Sequence, residues 1–431
     1  MPRFTLRLSA AKEVSVAEAA TSFYWLTDQR SSFTSGIGPS LGMLGPVPEL
    51  NIDVVRIALT AFAADRSVPR KGRGSNWNQR SLDLEIPVSD PTRWEAVADE
   101  FAGVLGFLSG DRWTLSFTHE QPPVEAVALP STSGAPTRVV LLSGGADSAI
   151  GGLYSRSLLA PGEHHILLSH FNNTMLPRIQ RHVAAEVERL VPGPTQQHVV
   201  VHLGRGSQRI DGASYPSEST SRSRSLLFLG LGLAVAAVHQ VPLWIPENGF
   251  ASLNPPLGPE RLGSLSTRTT HPAFLQNLAT VLAKTGAHAV IENPFAQSTK
   301  GEMFQHVVDL VGSVEASAFL SGTHSCALTG QRSHGISAKV PCGICFGCVL
   351  RRASFVASGV ADLTGYIAPS SDAVVQKWLD SKSVEWPVRN FVRRGVKGRD
   401  LATLCLPDNY PMRDALDLCQ RGLAELRSLY P

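Results

Sequence analysis

The chain has 431 residues, 43% of them apolar and 17% charged, with 37 glycines and 29 prolines. That apolar share builds a sizeable core and excludes an intrinsically disordered chain, and the length accommodates two to four domains. The net charge is only +3, so bulk charge argues neither for nor against a nucleic-acid partner.

The N-terminal stretch MPRFTLRLSAAKEV breaks its apolar pattern with Arg3, Arg7 and Lys12 and shows no apolar secretory core. Asn51 to Ala64 has helical apolar spacing, and Ser81 to Val88 alternates like a strand. Asp90 as N-cap and Pro91 at the first helical position predict a helix to about Leu108, stopped at Ser109-Gly110; Arg112 to Thr118 alternates again. Residues 1–120 therefore predict a small α+β domain. It carries no catalytic constellation and is expected to bind a partner. Residues 121–137, rich in proline, serine and threonine, read as a linker.

From Arg138 the texture changes. Strands at 138–142, 165–169, 198–202 and 242–245 alternate with helices, among them 178–190 and 222–238, which predicts a doubly wound parallel sheet over 138–360. The longest apolar run, Leu226 to Val238, is shorter than the roughly 20 residues that cross a bilayer and predicts a buried core helix. Residues 251–273 are irregular and proline-rich, too long for a passive connection. Residues 361–431 predict a helical extension. Six cysteines make no disulfide framework, and a cytoplasmic protein with no membrane segment is expected.

Leu141 to Ser148 reads LLSGGADS, between a predicted strand and a predicted helix. Ligands of doubly wound sheets bind at such strand ends. Gly144 and Gly145 let backbone N–H groups approach a phosphate, and the helix N-terminus adds donors and a positive dipole end. Asp147 and Ser148 can cap the helix or contact a metal or phosphate, and Asp147 is expected at an exposed loop end. No Gly-Lys-Ser/Thr closes the loop, so it is not a Walker A motif. An ordinary strand–helix turn is the plain alternative.

Cys326 is followed by Cys342-Gly-Ile-Cys345-Phe-Gly-Cys348. Four thiolates satisfy a tetrahedral zinc ion and leave no position open for catalysis, so the metal site reads as structural. An iron–sulfur cluster is the competing reading.

SGGxDS resembles the PP-loop of N-type ATP pyrophosphatases. With the later C…CGxCxxCxLR, ending at Arg351, it resembles the joint signature of 7-cyano-7-deazaguanine synthase, QueC. Arg224 to Leu229 is similar to a helix of that family, and Asn293-Pro-Phe through Thr299-Lys300-Gly-Glu302 to another of its segments. The likeness covers residues 138–358. The N-terminal domain, the C-terminal extension and the segments Glu247-Asn-Gly-Phe250 and Ser264 to Pro272 depart from QueC. In these the chain resembles the long QueC-like (QatC-type) component of the Qat anti-phage defence system.

The resemblance implies an adenine nucleotide alpha hydrolase-like PP-loop fold, ATP with magnesium, and a structural zinc ion on Cys326, Cys342, Cys345 and Cys348. It implies adenylation of a 7-deazaguanine carboxylate with release of pyrophosphate. Ser143, Gly144, Gly145, Asp147 and Ser148 would surround the phosphates, with Lys300 and Arg224 as cations at the α-phosphate. His170 would line the adenine or substrate pocket. Glu247, Asn248, Arg268 and His271 would recognise the base, Glu247 at its amidine edge. A QatB-like partner protein is expected, whose N-terminus would accept the activated group. A housekeeping synthase and an inactive nucleotide-binding scaffold are the alternatives. Arg66, Arg70, Lys71, Arg73 and Arg80, interleaved with Trp77, read either as a solvated loop or as a single-strand binding surface.

Overall fold

The computed structural model describes every residue except 10–13, 28–30, 71–78, 129–135, 172–174, 194, 219–221, 256, 258–267, 329 and 431. Lys71, Arg73, Trp77, part of the expected linker and residues 256 and 258–267 of the 251–273 segment thus lie outside the described residues. The N-terminal part holds β1 (Arg3–Arg7), α1 (Val16–Thr21), β2 (Ser22–Tyr24), β3 (Phe33–Ser35), α2 (Glu49–Ser67), β4 (Ser81–Pro87), α3 (Pro91–Glu95), α4 (Ala98–Ser109) and β5 (Arg112–Thr118). Asp90 caps α3 by accepting from Arg93 N–H, and Gly110 ends α4 in the left-handed region. Where one helix is expected there are two, because Val97 leaves helical φ/ψ between them.

The first sheet runs β2-β1-β4-β5, and every pair in it is parallel. This corrects the α+β expectation. The helices lie between the strands as crossovers, as parallel pairing requires. Alternation places Leu82, Leu84 and Ile86 on the buried face of β4, but it carries no information on strand direction.

The chain continues through β6 (Pro136–Leu141), α5 (Ala146–Ser157), β7 (His164–Phe171), α6 (Leu176–Leu190), β8 (Thr195–Arg205), α7 (Arg224–His239), β9 (Leu243–Trp244), α8 (Gly249–Ser252), α9 (Pro272–Thr285), β10 (Ile291–Glu292), α10 (Lys300–Val311), α11 (Ser313–Ser321) and α12 (Phe346–Ser358). The second sheet runs β10-β9-β6-β7-β8-β3. Its first five strands are parallel, and β3 closes the edge antiparallel to β8. The first strand of this region, β6, is central. The chain steps to one side for β7 and β8 and to the other for β9 and β10. That reversal leaves a crevice at the carboxyl ends of β6 and β9.

Helix α2 packs on the first sheet, α7 on the second, and the two helices pack on each other. They are close at Gly230, where a Cβ would meet Val54 at 3.5 Å and Ala58 at 3.7 Å, ordinary contact distances. One apolar cluster runs from Phe4 and Leu6 through Val54 and Phe62 to Leu229, Leu243 and Phe274. The first 120 residues therefore share a core with the second sheet. A second cluster lies on the far face of that sheet, joining α5, α6, α10 and α12.

Arg70 and Arg80 do not form a basic surface, which corrects both sequence readings for these two residues. They are 6% and 2% exposed. Arg80 bonds Asp65 and Asp111, each at 2.5 Å, and Arg70 meets Asp111 at 2.8 Å. The carboxylates offset the cost of burying these two guanidinium groups.

The C-terminal part consists of α13 (Ala373–Lys382), α14 (Glu385–Arg394) and α15 (Met412–Leu429). Leu418, Leu423 and Leu426 of α15 pack with Phe250 and Val349, which brings α15 against α12 and the start of α10. Among the described residues no helix is long and apolar enough to cross a membrane.

Candidate functional site

Between β6 and α5 the chain turns through Ser143, Gly144 and Gly145. Gly144 has φ +92°, which an L side chain rarely adopts; Gly145 is extended and needs no such freedom. Ser148 Oγ accepts from Ser143 N–H at 3.1 Å and bonds the Gly145 carbonyl at 3.0 Å, so it ties the turn together from within. Behind the turn, His324 N–H donates to Gly144 O at 2.9 Å, and Ala146 N–H donates to Ser325 Oγ at 3.4 Å.

In front of the turn lies a cavity of about 320 Å³ at the chain reversal. It brings together Ser143, Ser148, His170, Arg224 and Glu247, which the sequence scatters over about a hundred positions. Leu141, Phe228, Leu229 and Ile245 supply its apolar walls. Two helices, α5 and α7, begin at it, so two positive dipole ends border one space. Arg224 is the first residue of α7 and makes no hydrogen bond or ion pair among the described residues. Burial, and then repulsion from Arg66, pulls its guanidinium below its ordinary range.

His170 is 1% exposed. Its Nε2 faces Leu203 O at 2.6 Å and must carry the proton, which leaves Nδ1 as a buried acceptor without a partner among the described residues. Burial holds its pKa at about 4, so the ring is neutral near pH 7.

Asp147 and Lys300 stand one layer behind the cavity. Asp147 is buried rather than at an exposed loop end, which corrects the sequence expectation. Its Oδ2 pairs with Lys300 Nζ, and the two side chains are largely enclosed. Asn248 links this pair to the cavity, since its Nδ2 lies 3.0 Å from Glu247 Oε1 and 3.5 Å from Asp147 Oδ1. Asn293 fixes the backbone of Glu247 through bonds at 2.8 and 3.3 Å.

A smaller cavity of about 180 Å³ shares Glu247, Thr269 and Thr270 with the first and adds Arg268, His271 and Phe346. The Arg268 guanidinium lies 4.5 Å above the Phe107 ring of α4, a cation–π contact. His271 is placed otherwise than the sequence suggests. Its Nδ1 accepts from Ala273 N–H at the start of α9, and its Nε2 donates to Leu404 O at 2.7 Å. Both ring nitrogens are thus committed to the fold.

The four clustered cysteines converge. Their sulfurs all lie within 4.8 Å of one another, with Cys342–Cys348 at 3.8 Å and Cys326–Cys345 at 4.0 Å. Tetrahedral bonds of about 2.3 Å place sulfurs about 3.8 Å apart, so the site can hold one metal ion and is compatible with zinc. Backbone N–H groups of Ile344 and Cys345 point at Cys342 Sγ from 3.4 and 3.3 Å, as suits a thiolate. The centre braces the glycine turn, because Ser325, which contacts Ala146, precedes Cys326. A Cβ on Gly347 would lie 2.3 Å from Ser325 O, so this packing requires glycine. Arg351 binds the Leu320, Ser321 and Thr323 carbonyls and so fixes the same segment.

Sequence reasoning missed Asp65, Arg222 and Glu425. Asp65 holds the entry to α7, Arg222 lines the large cavity, and Glu425 holds the start of α10. A search against protein-family models and against curated proteins finds no match to this chain.

Proposed function

We propose that the chain is a PP-loop, QueC-like enzyme that adenylates a 7-deazaguanine carboxylate at the expense of ATP and serves an anti-phage defence system with a partner protein. The supporting observation is the cavity at the chain reversal, where the SGGADS turn, two helix N-termini and Arg224, which has no ion pair among the described residues, face one another. ATP phosphates suit this surround, and the apolar walls suit a planar base. Asp147 and Glu247 are the carboxylates proposed to hold the magnesium that accompanies ATP. The cysteine centre is read as structural zinc.

In the proposed reaction a carboxylate oxygen attacks the α-phosphorus, the bond to the bridging oxygen breaks, and pyrophosphate leaves with the electron pair. A neutral amine then attacks the acyl carbon and loses a proton, and AMP departs. Arg224 offsets negative charge as it develops, as does Lys300 once phosphate competes with Asp147 for its ammonium group. A protein α-amine, with pKa near 8, is partly neutral at pH 7 and serves as acceptor more readily than a lysine near 10.4. A partner N-terminus entering past Thr269 and Thr270 would meet the smaller cavity.

The test is to incubate the chain with magnesium ATP and the carboxylated deazaguanine, and to weigh a co-expressed partner. AMP and pyrophosphate, a heavier partner, and loss of both in Asp147→Asn protein that retains the parent's circular dichroism support the reading. ADP as product refutes the PP-loop assignment. Free nitrile with an unmodified partner favours a housekeeping synthase, and ATP binding without turnover favours a scaffold.

A further inference from the structure

Two buried carboxylates from outside the motif-bearing region each hold the start of a helix that presents a cation to the site. Asp65 lies in the last turn of α2. Its Oδ2 accepts from the N–H groups of Arg222 at 2.8 Å and Ser223 at 3.0 Å and from Ser223 Oγ at 2.7 Å. These residues lead directly into Arg224. Ser223 makes no side-chain cap of its own, so α7 takes its cap from another element. Burial alone would raise the Asp65 pKa, yet Arg80 and the bonds from Ser223 hold it below its ordinary range; the cap is charged.

Glu425 repeats the arrangement from α15. Both its oxygens accept from Gly301 N–H at 3.0 Å, and it takes a further bond from the Thr299 hydroxyl. Lys300 lies between those two residues. A Cβ on Gly301 would sit 2.5 Å from Glu425 Oε1, so the helix start is shaped to admit this carboxylate. Yet α10 already has a complete capping box from Thr299 and Glu302. A second acid, whose pKa burial pushes upward, is costly for closing a helix end that is already closed. Its effect is to fix where that end sits.

We propose that Asp65 and Glu425 are positioning residues of the site, acting through Arg224 and Lys300 respectively. The N-terminal and C-terminal segments are then walls of one active site rather than appended modules. An error of about 1 Å in placing a reacting or charged group costs on the order of 100-fold in rate, which gives such anchors their value. The binding readout rests on the nucleotide reading of the cavity; the exchange readout below does not.

The experiment measures magnesium-ATP binding to the full chain by calorimetry, with hydrogen exchange on the ligand-free chain. Asp65→Asn and Glu425→Gln should each weaken binding about tenfold, the scale of a lost hydrogen bond to a charged group. The loss from Asp65→Asn should vanish in an Arg224→Ala background, and that from Glu425→Gln in a Lys300→Met background. Amides at 222–224 and at 300–301 should exchange faster in the respective variants while the rest of the pattern holds. If Asp65→Asn does not fold, Ser223→Ala removes one of the three bonds and leaves the arginine network intact. Fully additive losses, or unchanged exchange at both helix starts, would overturn the proposal. A wild-type chain that binds no magnesium ATP would refute the nucleotide reading, and the exchange data would still decide this one.

Discussion

Replacing Lys300 with methionine keeps the length of the side chain and deletes its charge. Asp147, 9% exposed, is then left among the described residues with the side chain of Asn248, Nδ2 at 3.5 Å, as hydrogen-bond partner of its carboxylate. At an effective dielectric constant of about 20, two unit charges 4 Å apart attract by about 4 kcal/mol. Breaking a buried pair from one side costs about 3–5 kcal/mol, because the desolvated partner stays behind. Lys300→Met should therefore destabilise the region around α5 and α10 by about 4 kcal/mol, and Asp147→Asn by a similar amount, since Lys300 is 4% exposed. The double variant leaves no orphaned charge. It should be more stable than either single variant and close to the parent, since a buried pair and its neutral replacement are often nearly equal. The apolar clusters need not melt together, so the assay is hydrogen exchange of α5 and α10 amides, supported by urea unfolding. Added salt should change little, because screening acts weakly on buried pairs. A double variant as unstable as the sum of the two singles would refute the reasoning.

Elemental analysis should find one zinc per chain, and Cys345→Ser should give metal-poor, poorly soluble protein, since structural metal binding is coupled to folding; stoichiometric iron or no metal would contradict this. Burial holds His165, His170 and His271 at about 4, below the roughly 6.5 of an unfolded chain. Depressed bases contribute stability that is present above pH 6.5 and is lost as pH falls toward 4. Each should forfeit about 2 kcal/mol by pH 5, so urea midpoints should drop steeply between pH 6.5 and 5, and a flat profile there would count against buried neutral rings. A Cβ on Gly249 would lie 2.0 Å from the Ala296 carbonyl oxygen. Gly249→Ala should cost about 1–3 kcal/mol by overpacking and displace Asn248 and Glu247; an unchanged melting temperature would show that the loop has room.

The elements read from periodicity recur closely. β4 and β5 begin where alternation begins, α2 extends the expected helix by two or three residues at each end, and Asp90 and Gly110 serve as cap and stop. The glycine turn and the cysteine quartet were legible for the same reason: short fixed spacings specify local geometry almost regardless of what surrounds them. Periodicity left open the direction of β1, β2, β4 and β5, and hence the parallel first sheet. It also could not tell which polar residues would be enclosed. Arg70 and Arg80 look like surface charge until Asp111 is folded against them, and His271 looks free until Leu404 meets its ring.

Sequence by itself determined many of the strands and helices, the glycine turn between β6 and α5, and which four sulfurs can share a metal. These depend on residues within a few turns of one another. Tertiary structure alone decided that Ser143, His170, Arg224 and Glu247 line one cavity. It also decided that Asp65 reaches Ser223 across 158 positions and Glu425 reaches Gly301 across 124. Such contacts arise when amphipathic faces are buried against each other, and the carboxylate of an otherwise ordinary helix then lands on a distant backbone N–H. No local spacing encodes that meeting, because it is set by the packing of whole elements.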